Sequence, residues 1–456
     1  MIRKSHAMLF GVVIALLAGT LGFGSGWAAA RIVGNSPVDS FLAGFGTMGA
    51  RQDTPTNLRN DFAVFWQVWN LVEGEFYRTE PLDQQRMIYG AIRGMLSALD
   101  DEYTSFQEPD LAAQSRESMQ GKFEGIGAFL RLEDRSLLID RPFKGSPAEQ
   151  AGVLAGDEIL AVDGVPMSEI IAGVEGAEAT ARAVSRIRGP KGSVVTLTLR
   201  RDGVAEPFEV AITRDEVPLI SVNAEMLDDG VAYIQITEFK ATTTEQLDAA
   251  IRELMAQRPT SLVLDLRNNP GGYLNTAREV LGRFYNGVAL YEQENGGLEK
   301  ELRTINAPAD ARIYDLPMVV LINGGSASAS EIVAGALRDV RPNTTLLGEQ
   351  SFGKGSVQNI HQLNDGSSAR ITVARWFTPN RSAIHKLGIT PEYVVAQAEG
   401  TEFQVPCLAE RRPAEGQTAC FDAQLASSLR LLAGMPPLPA TRSGELVPLI
   451  ARRAAT

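Results

Sequence analysis

Three short stretches of the 456-residue chain gather residue types able to do chemistry. The first, Asn323-Gly324-Gly325-Ser326-Ala327-Ser328-Ala329-Ser330-Glu331, lies between an apolar run at 318–322 and a helix-like pattern at 331–338. The second, Ser351-Phe352-Gly353-Lys354-Gly355-Ser356-Val357-Gln358, holds a lysine between two glycines. The third, Asn268-Asn269-Pro270-Gly271-Gly272, follows the apolar run 261–266 and precedes a helical pattern. Turns at the carboxyl ends of strands are where layered α/β folds usually carry their sites. Small residues at a helix start leave amide N–H groups free, and those amides with the helix dipole favour a developing negative charge. The glycines beside Lys354 let backbone approach closely, and Gln358 could orient an amine by hydrogen bonding. Ser328 to Glu331 also has the S-x-x-E spacing of a helix capping box, which by itself calls for no chemistry.

Composition closes off several function classes. The formal charge of −12, from 43 basic and 55 acidic residues without a dense run of Lys or Arg, offers no field for phosphate backbones, so nucleic acid is not an expected partner. Only His361 and His385 lie beyond the first thirty residues. Neither sits in a Ser-His-Asp pattern, and there is no G-x-S-x-G elbow. Without H-E-x-x-H or paired Cys-x-x-Cys there is no metal-ligand spacing, and no nucleotide loop is present, so neither metal nor cofactor is expected.

The elements that must position these stretches read as a layered core over 215–400. The runs 231–236, 261–266, 318–322 and 344–347 are short and continuously apolar, as strands covered on both faces should be. Helical patterns at 244–257, 274–284 and 331–338 separate them, and the β, α, β, α order predicts crossover connections. The stretch 369–376 alternates and is predicted at a sheet edge. Residues 121–214 change period: Val195, Leu197 and Leu199, then Phe208, Val210 and Ile212, alternate with their neighbours, predicting a small antiparallel domain. Its turns are marked by Gly152, Gly156-Asp157 and Asp163-Gly164, with a short helical piece at 147–151. Residues 58–120 form an N-terminal helical region. Its stripe of Phe62, Phe65, Trp66, Trp69, Val72, Phe76 and Tyr77 at three- and four-residue steps must be buried, in its own domain or against a second copy of the chain. The predicted class is α/β, a multidomain α+β chain with an inserted small β domain.

The ends have a logic of their own. Arg3 and Lys4, an apolar run over 7–23 and Ala28-Ala29-Ala30 make residues 1–30 an export signal, either cleaved or kept as a membrane anchor. Residues 31–57 are rich in Gly, Ser, Thr, Asn and Pro and read as a flexible spacer, about 30 Å end to end as a random coil. In the tail, 401–456, Cys407 and Cys420 are the only cysteines and could close a disulfide in an oxidising compartment, two lone buried thiols being the alternative.

Gly145-Ser146-Pro147-Ala148, Ala151-Gly152-Val153 and Gly156-Asp157-Glu158-Ile159-Leu160-Ala161-Val162-Asp163-Gly164 resemble the PDZ domain. That resemblance implies a glycine-rich loop receiving a terminal carboxylate on Gly125, Ile126, Gly127 and Ala128, with the rest of the peptide adding to a sheet edge. Taken together, Ser326-Ala327-Ser328-Ala329-Ser330-Glu331, Phe352-Gly353-Lys354-Gly355-Ser356-Val357-Gln358 and Asp265-Leu266-Arg267-Asn268-Asn269-Pro270-Gly271-Gly272 closely resemble the carboxyl-terminal processing proteases. Thr378-Pro379-Asn380-Arg381-Ser382 and Gly388-Ile389-Thr390-Pro391 follow in the same order, with Glu392 where the family often has Asp. The resemblance implies a serine endopeptidase cutting proteins near their carboxyl termini. Ser328 falls on the nucleophile, Lys354 on the general base, Gln358 on the supporting amide, and Gly272 and Ala329 on the oxyanion hole. It further implies a PDZ module that captures the substrate tail and gates the site, self-association, room for a separate adaptor, and a periplasmic enzyme tethered to the inner membrane if the signal is kept. A non-catalytic PDZ scaffold is the alternative, and an acyl-CoA enzyme on a related core a third. For Lys354 to act as a base it must be neutral, although its reference pKa is about 10.4. Burial has to disfavour the charged form, so no carboxylate should touch Lys354.

Overall fold

Every residue of Ser261–Asp265 and Met318–Ile322 is buried, and the two run parallel at the centre of a six-stranded sheet. The order across it is Val222–Met226, Val231–Ile236, Ser261–Asp265, Met318–Ile322, Thr344–Gly348 and Tyr393–Val394. The first pair is antiparallel and the rest are parallel. Alternate residues divide between two cores. Ile234, Leu264, Val320 and Leu346 pack with residues of helices Thr243–Ala256, Leu274–Leu281 and Ala329–Val340, whereas Tyr233, Val263, Val319 and Leu347 pack with Phe403, Val405 and the tail helix Ala423–Leu432. Coverage on both faces explains the unbroken apolar runs, and the β, α, β, α reading is what the structure contains.

The structure is a computed structural model that describes residues 61–133, 136–398, 400–408 and 419–438, so the proposed export signal and spacer lie outside the described residues. The chain divides into two units, Met1–Gln84 and Gln85–Thr456. In the first, helix Phe62–Glu75 has no buried residue, and Phe62, Trp66, Phe76 and Tyr77 are exposed. Among the described residues of this unit nothing covers the helix, so the expected burial of the stripe in its own domain is not seen there.

Residues 128–213 build a separate β structure in the order Ala128–Glu133, Ser136–Pro142, Glu158–Val162, Val194–Arg200, Phe208–Thr213. Helix Gly176–Ile187 packs on its core through Ala179, Ala183 and Ile187; the sequence reading had missed this helix. The chain enters and leaves through an antiparallel ladder, Lys122–Gly125 against Asp215–Pro218, which sets the module as an insertion.

A second sheet carries the lysine stretch. Strand Ser356–Gln362 pairs antiparallel with Ser368–Phe377, which also pairs with Ser105–Gln107 and Val288–Glu294. The ten-residue strand Ser368–Phe377 is thus interior, not the edge its alternation suggested, because its two ends find different partners.

Candidate active site

The three serines of the Ser326-to-Ser330 run have different fates. Ser326 Oγ donates to the Leu266 carbonyl at 2.8 Å and Ser330 Oγ to the Asn269 carbonyl at 2.8 Å, so both clip the serine turn onto the Asn268-to-Gly272 turn. Ser328, between them, is half-buried and holds φ 55°, ψ −114°, a region that L-residues rarely adopt. The clips on either side impose this conformation. The turns touch closely enough that a side chain at Gly271 would come within 2.8 Å of Ser328 Cβ. Only glycine fits there.

Glu331 ties this turn to the lysine. Its carboxylate, 1% exposed, accepts the N–H of Ser328 at 2.9 Å and of Lys354 at 2.8 Å on one oxygen. On the other it accepts Gly353 N–H at 2.7 Å and the Ser351 hydroxyl at 2.6 Å. Burial, the largest influence, pushes the Glu331 pKa up against the opposing pull of these hydrogen bonds. The glycines beside Lys354 are required by contact, since a Cβ at Gly355 would lie 2.5 Å from the His385 nitrogen and one at Gly353 2.9 Å from that of Gly388.

Lys354 itself is half-buried, and its ammonium makes no ion pair or hydrogen bond among the described residues. Nζ stands 5.0 Å from the centre of the Tyr103 ring. Its pKa is held below the ordinary lysine value, first by burial and then by the Arg370 charge, against smaller opposing effects of Asp101 and Glu331. Among the described residues no carboxylate forms an ion pair with Lys354.

One cavity of about 480 Å³ is lined by Ser328, Lys354, Gln358, Gly272 and Ala329 together. The N–H groups of Gly272 and Ala329 donate to no acceptor among the described residues. Gln358 sits in the same wall, but its amide N–H groups go to Ser356 Oγ at 2.8 Å and Thr372 Oγ1 at 3.2 Å rather than to Lys354. A second, smaller cavity of about 310 Å³ runs along the free edge of Ala128–Glu133 beside helix Gly176–Ile187 and is lined by Ile126, Gly127 and Ala128. Gly125 is paired in the entry ladder. The N–H groups of Ile126 and Gly127 have no acceptor among the described residues.

The model of peptidase family S41 matches residues 230–395, and that of the PDZ domain matches residues 139–201. The carboxy-terminal-processing protease of Bartonella bacilliformis is 37% identical over 364 residues, which cover 78% of this chain and 81% of that one. The chain belongs to the S41 carboxy-terminal processing proteases. The carboxy-terminal processing protease CtpB of Bacillus subtilis is 38% identical over 73% of this peptidase and 67% of its own length. Among solved structures, the photosystem II D1 C-terminal processing protease aligns over 74% of this peptidase and 88% of that chain, with 30% identity and a TM-score of 0.41.

Several residues of this processing protease escaped the sequence reading. Glu331 was visible only as a helix cap, and its S-x-x-E spacing was the signal for its Ser328 contact but not for its contacts with Ser351 to Lys354. Tyr103 carried no signal, because its approach to Lys354 spans the whole inserted module. Cys407 and Cys420 form a disulfide. Two residues on, Asp422 accepts Arg267 Nη1 at 2.9 Å in a buried cluster with Asp265 directly beneath the Asn268-to-Gly272 turn. Among the described residues no His, Cys, Asp and Glu cluster could hold a metal ion.

Proposed function

We propose that this processing protease cleaves proteins near their carboxyl termini with Ser328 as nucleophile and Lys354 as general base. The observation that carries the reading is a half-buried lysine with no carboxylate partner among the described residues, sharing a cavity with a serine and two amides that have no acceptor among them. Neutral Lys354 takes the proton of Ser328 Oγ as that oxygen attacks the scissile carbonyl. The Gly272 and Ala329 N–H groups receive the oxyanion. The Lys354 ammonium then gives its proton to the leaving amine, and water releases the acyl group by the same route in reverse order. Gln358 supports the wall through Ser356 and Thr372.

The PDZ-like cavity receives the substrate tail, with its carboxylate on the Ile126 and Gly127 amides and its backbone along the edge of Ala128–Glu133. Helix Pro109–Gln120 supplies Ser118 to both cavities, so a tail in one presses on the wall of the other. Gating follows from that shared wall. The reading of residues 1–30 places the enzyme outside the cytoplasm, where a disulfide persists, and the exposed stripe on Phe62–Glu75 serves self-association.

A serine-reactive fluorophosphonate should label Ser328, located by peptide mapping, and Ser328→Ala and Lys354→Ala should each abolish cleavage of a peptide substrate while circular dichroism stays unchanged. Full activity in Ser328→Ala overturns the reading.

A further inference from the structure

The charges around the catalytic cavity do not balance. Its ionisable lining consists of Glu238, Tyr273, Lys354 and Arg370. Glu238 is already engaged, its carboxylate 2.9 Å from Lys240 Nζ. Lys354 must be neutral to act. Arg370 is left as a fixed cation, with no ion pair or hydrogen bond from its guanidinium among the described residues and with its Nε buried and unpartnered. A guanidinium cannot neutralise itself by losing a proton, so a half-buried one without an acceptor is costly unless a ligand supplies it.

The position of Arg370 in the sheet says where that ligand would lie. In the hairpin that forms this wall, Gln358 faces Thr372 and Ile360 faces Arg370. Arg370 therefore stands two residues, ~7 Å, along the strand from the Gln358 position, on the same face. An extended peptide advances by the same rise per residue, so a group held at Arg370 lies within about three residues of a bond held at Ser328. The guanidinium lies near enough to both Lys354 and Tyr273 for its charge to act on each, which sets it at the cavity and not behind the sheet.

The geometry points to Arg370 as a specificity residue that binds a carboxylate of the substrate inside the catalytic cavity. The assignment rests on the Ser328/Lys354 reading for the position of the cleaved bond. Among the groups an unmodified peptide carries, the carboxylate is the one that matches the planar, two-pronged donor set of a guanidinium with no acceptor among the described residues. It comes either from a Glu or Asp side chain or from the α-carboxylate of a short tail, and the two sources are separable by experiment.

The test uses the full chain and matched peptides that differ only by Glu against Gln at each of three positions on either side of the cleaved bond, each made as the free acid and as the amide. Wild type should prefer a carboxylate at one position by about 10- to 100-fold in kcat/KM. Arg370→Gln should bring that ratio to about one, and Arg370→Lys should keep part of it. A preference carried by Glu names a side chain, and one carried by the free acid names the chain end. The same pairs are titrated onto Ser328→Ala and onto Ser328→Ala/Arg370→Gln, which reads Arg370 without turnover. Loss of fluorophosphonate labelling in wild type would sink the Ser328/Lys354 reading while these binding ratios still judge Arg370. Equal kinetics and equal binding of Glu and Gln peptides, or a preference that survives Arg370→Gln, overturns the inference.

Discussion

The two cavities handle positive charge in opposite ways. In the PDZ-like cavity Arg188 is held by Glu117 at 2.6 Å and lies over the Phe123 ring, so its charge is satisfied before any ligand arrives. In the cavity shared by Ser328 and Lys354 neither Lys354 nor Arg370 has a carboxylate partner among the described residues, even though Glu331 is buried close by. Glu331 directs both oxygens to N–H and hydroxyl donors of the two loops and leaves the lysine head alone. Under the proposed function the PDZ-like pocket only recognises and can hold its cation in an ion pair, whereas the pocket proposed to generate a neutral amine cannot, because a touching carboxylate would raise the lysine pKa.

The difference breaks most severely if Lys354 becomes permanently charged. Lys354→Arg should lower kcat by about 10⁴-fold, since a guanidinium cannot accept the serine proton. Tail-peptide affinity in the other cavity should change by less than about twofold, and stopped-assay kinetics with peptide titration checks both. Next in size is Glu331→Gln, which presents an amide donor to backbone donors in a buried site. It should cost about 3 kcal/mol of stability, read from urea unfolding, and a wild-type midpoint would show that Glu331 does not join the loops.

Gln358→Glu adds to the Ser328/Lys354 cavity an anion that, unlike Glu238, is not already engaged with Lys240. Wild-type activity should rise with pH as Lys354 loses its proton. That limb lies below the ordinary lysine value because burial and Arg370 outweigh Asp101 and Glu331. Tyr103, pushed up to about 12 chiefly by burial, does not contribute to the limb. The substitution should move the limb to higher pH and lower activity at pH 7 by about 30-fold; an unmoved limb would detach it from Lys354. The smallest effect belongs to the other cavity. Glu117→Gln removes a half-exposed anion from the proposed tail site, and tail peptides should bind about threefold tighter by calorimetry.

How far the sequence could be read depended on the range of the contacts involved. The buried strands were legible because burial on both faces leaves continuous apolar runs. Val231–Ile236 and Met318–Ile322 were placed to the residue. Helix Gly176–Ile187 was not, since Gly176, Thr180 and several charged residues dilute its apolar positions to Ala179, Ala183 and Ile187. Strand Ser368–Phe377 showed its alternation but not its interior place, because alternation reports which faces are covered and not how many neighbours a strand has. At the site, the residue types and turns were legible, whereas the hydrogen-bond partners of Gln358 were not.

By itself the sequence determined the chemistry on offer: a serine turn and an amide-rich turn at strand ends, and a glycine-flanked lysine, in the order of a processing protease. Those are local properties of strand-to-helix turns and of residue type. Only the tertiary structure decided which serine stands between two clipped neighbours in a rare backbone conformation, that Glu331 serves the loops and not the lysine, and that Arg370 lines the cavity with no ion pair among the described residues. Each of these depends on which groups from distant segments come within hydrogen-bonding or Coulomb range, and chain spacing does not record that.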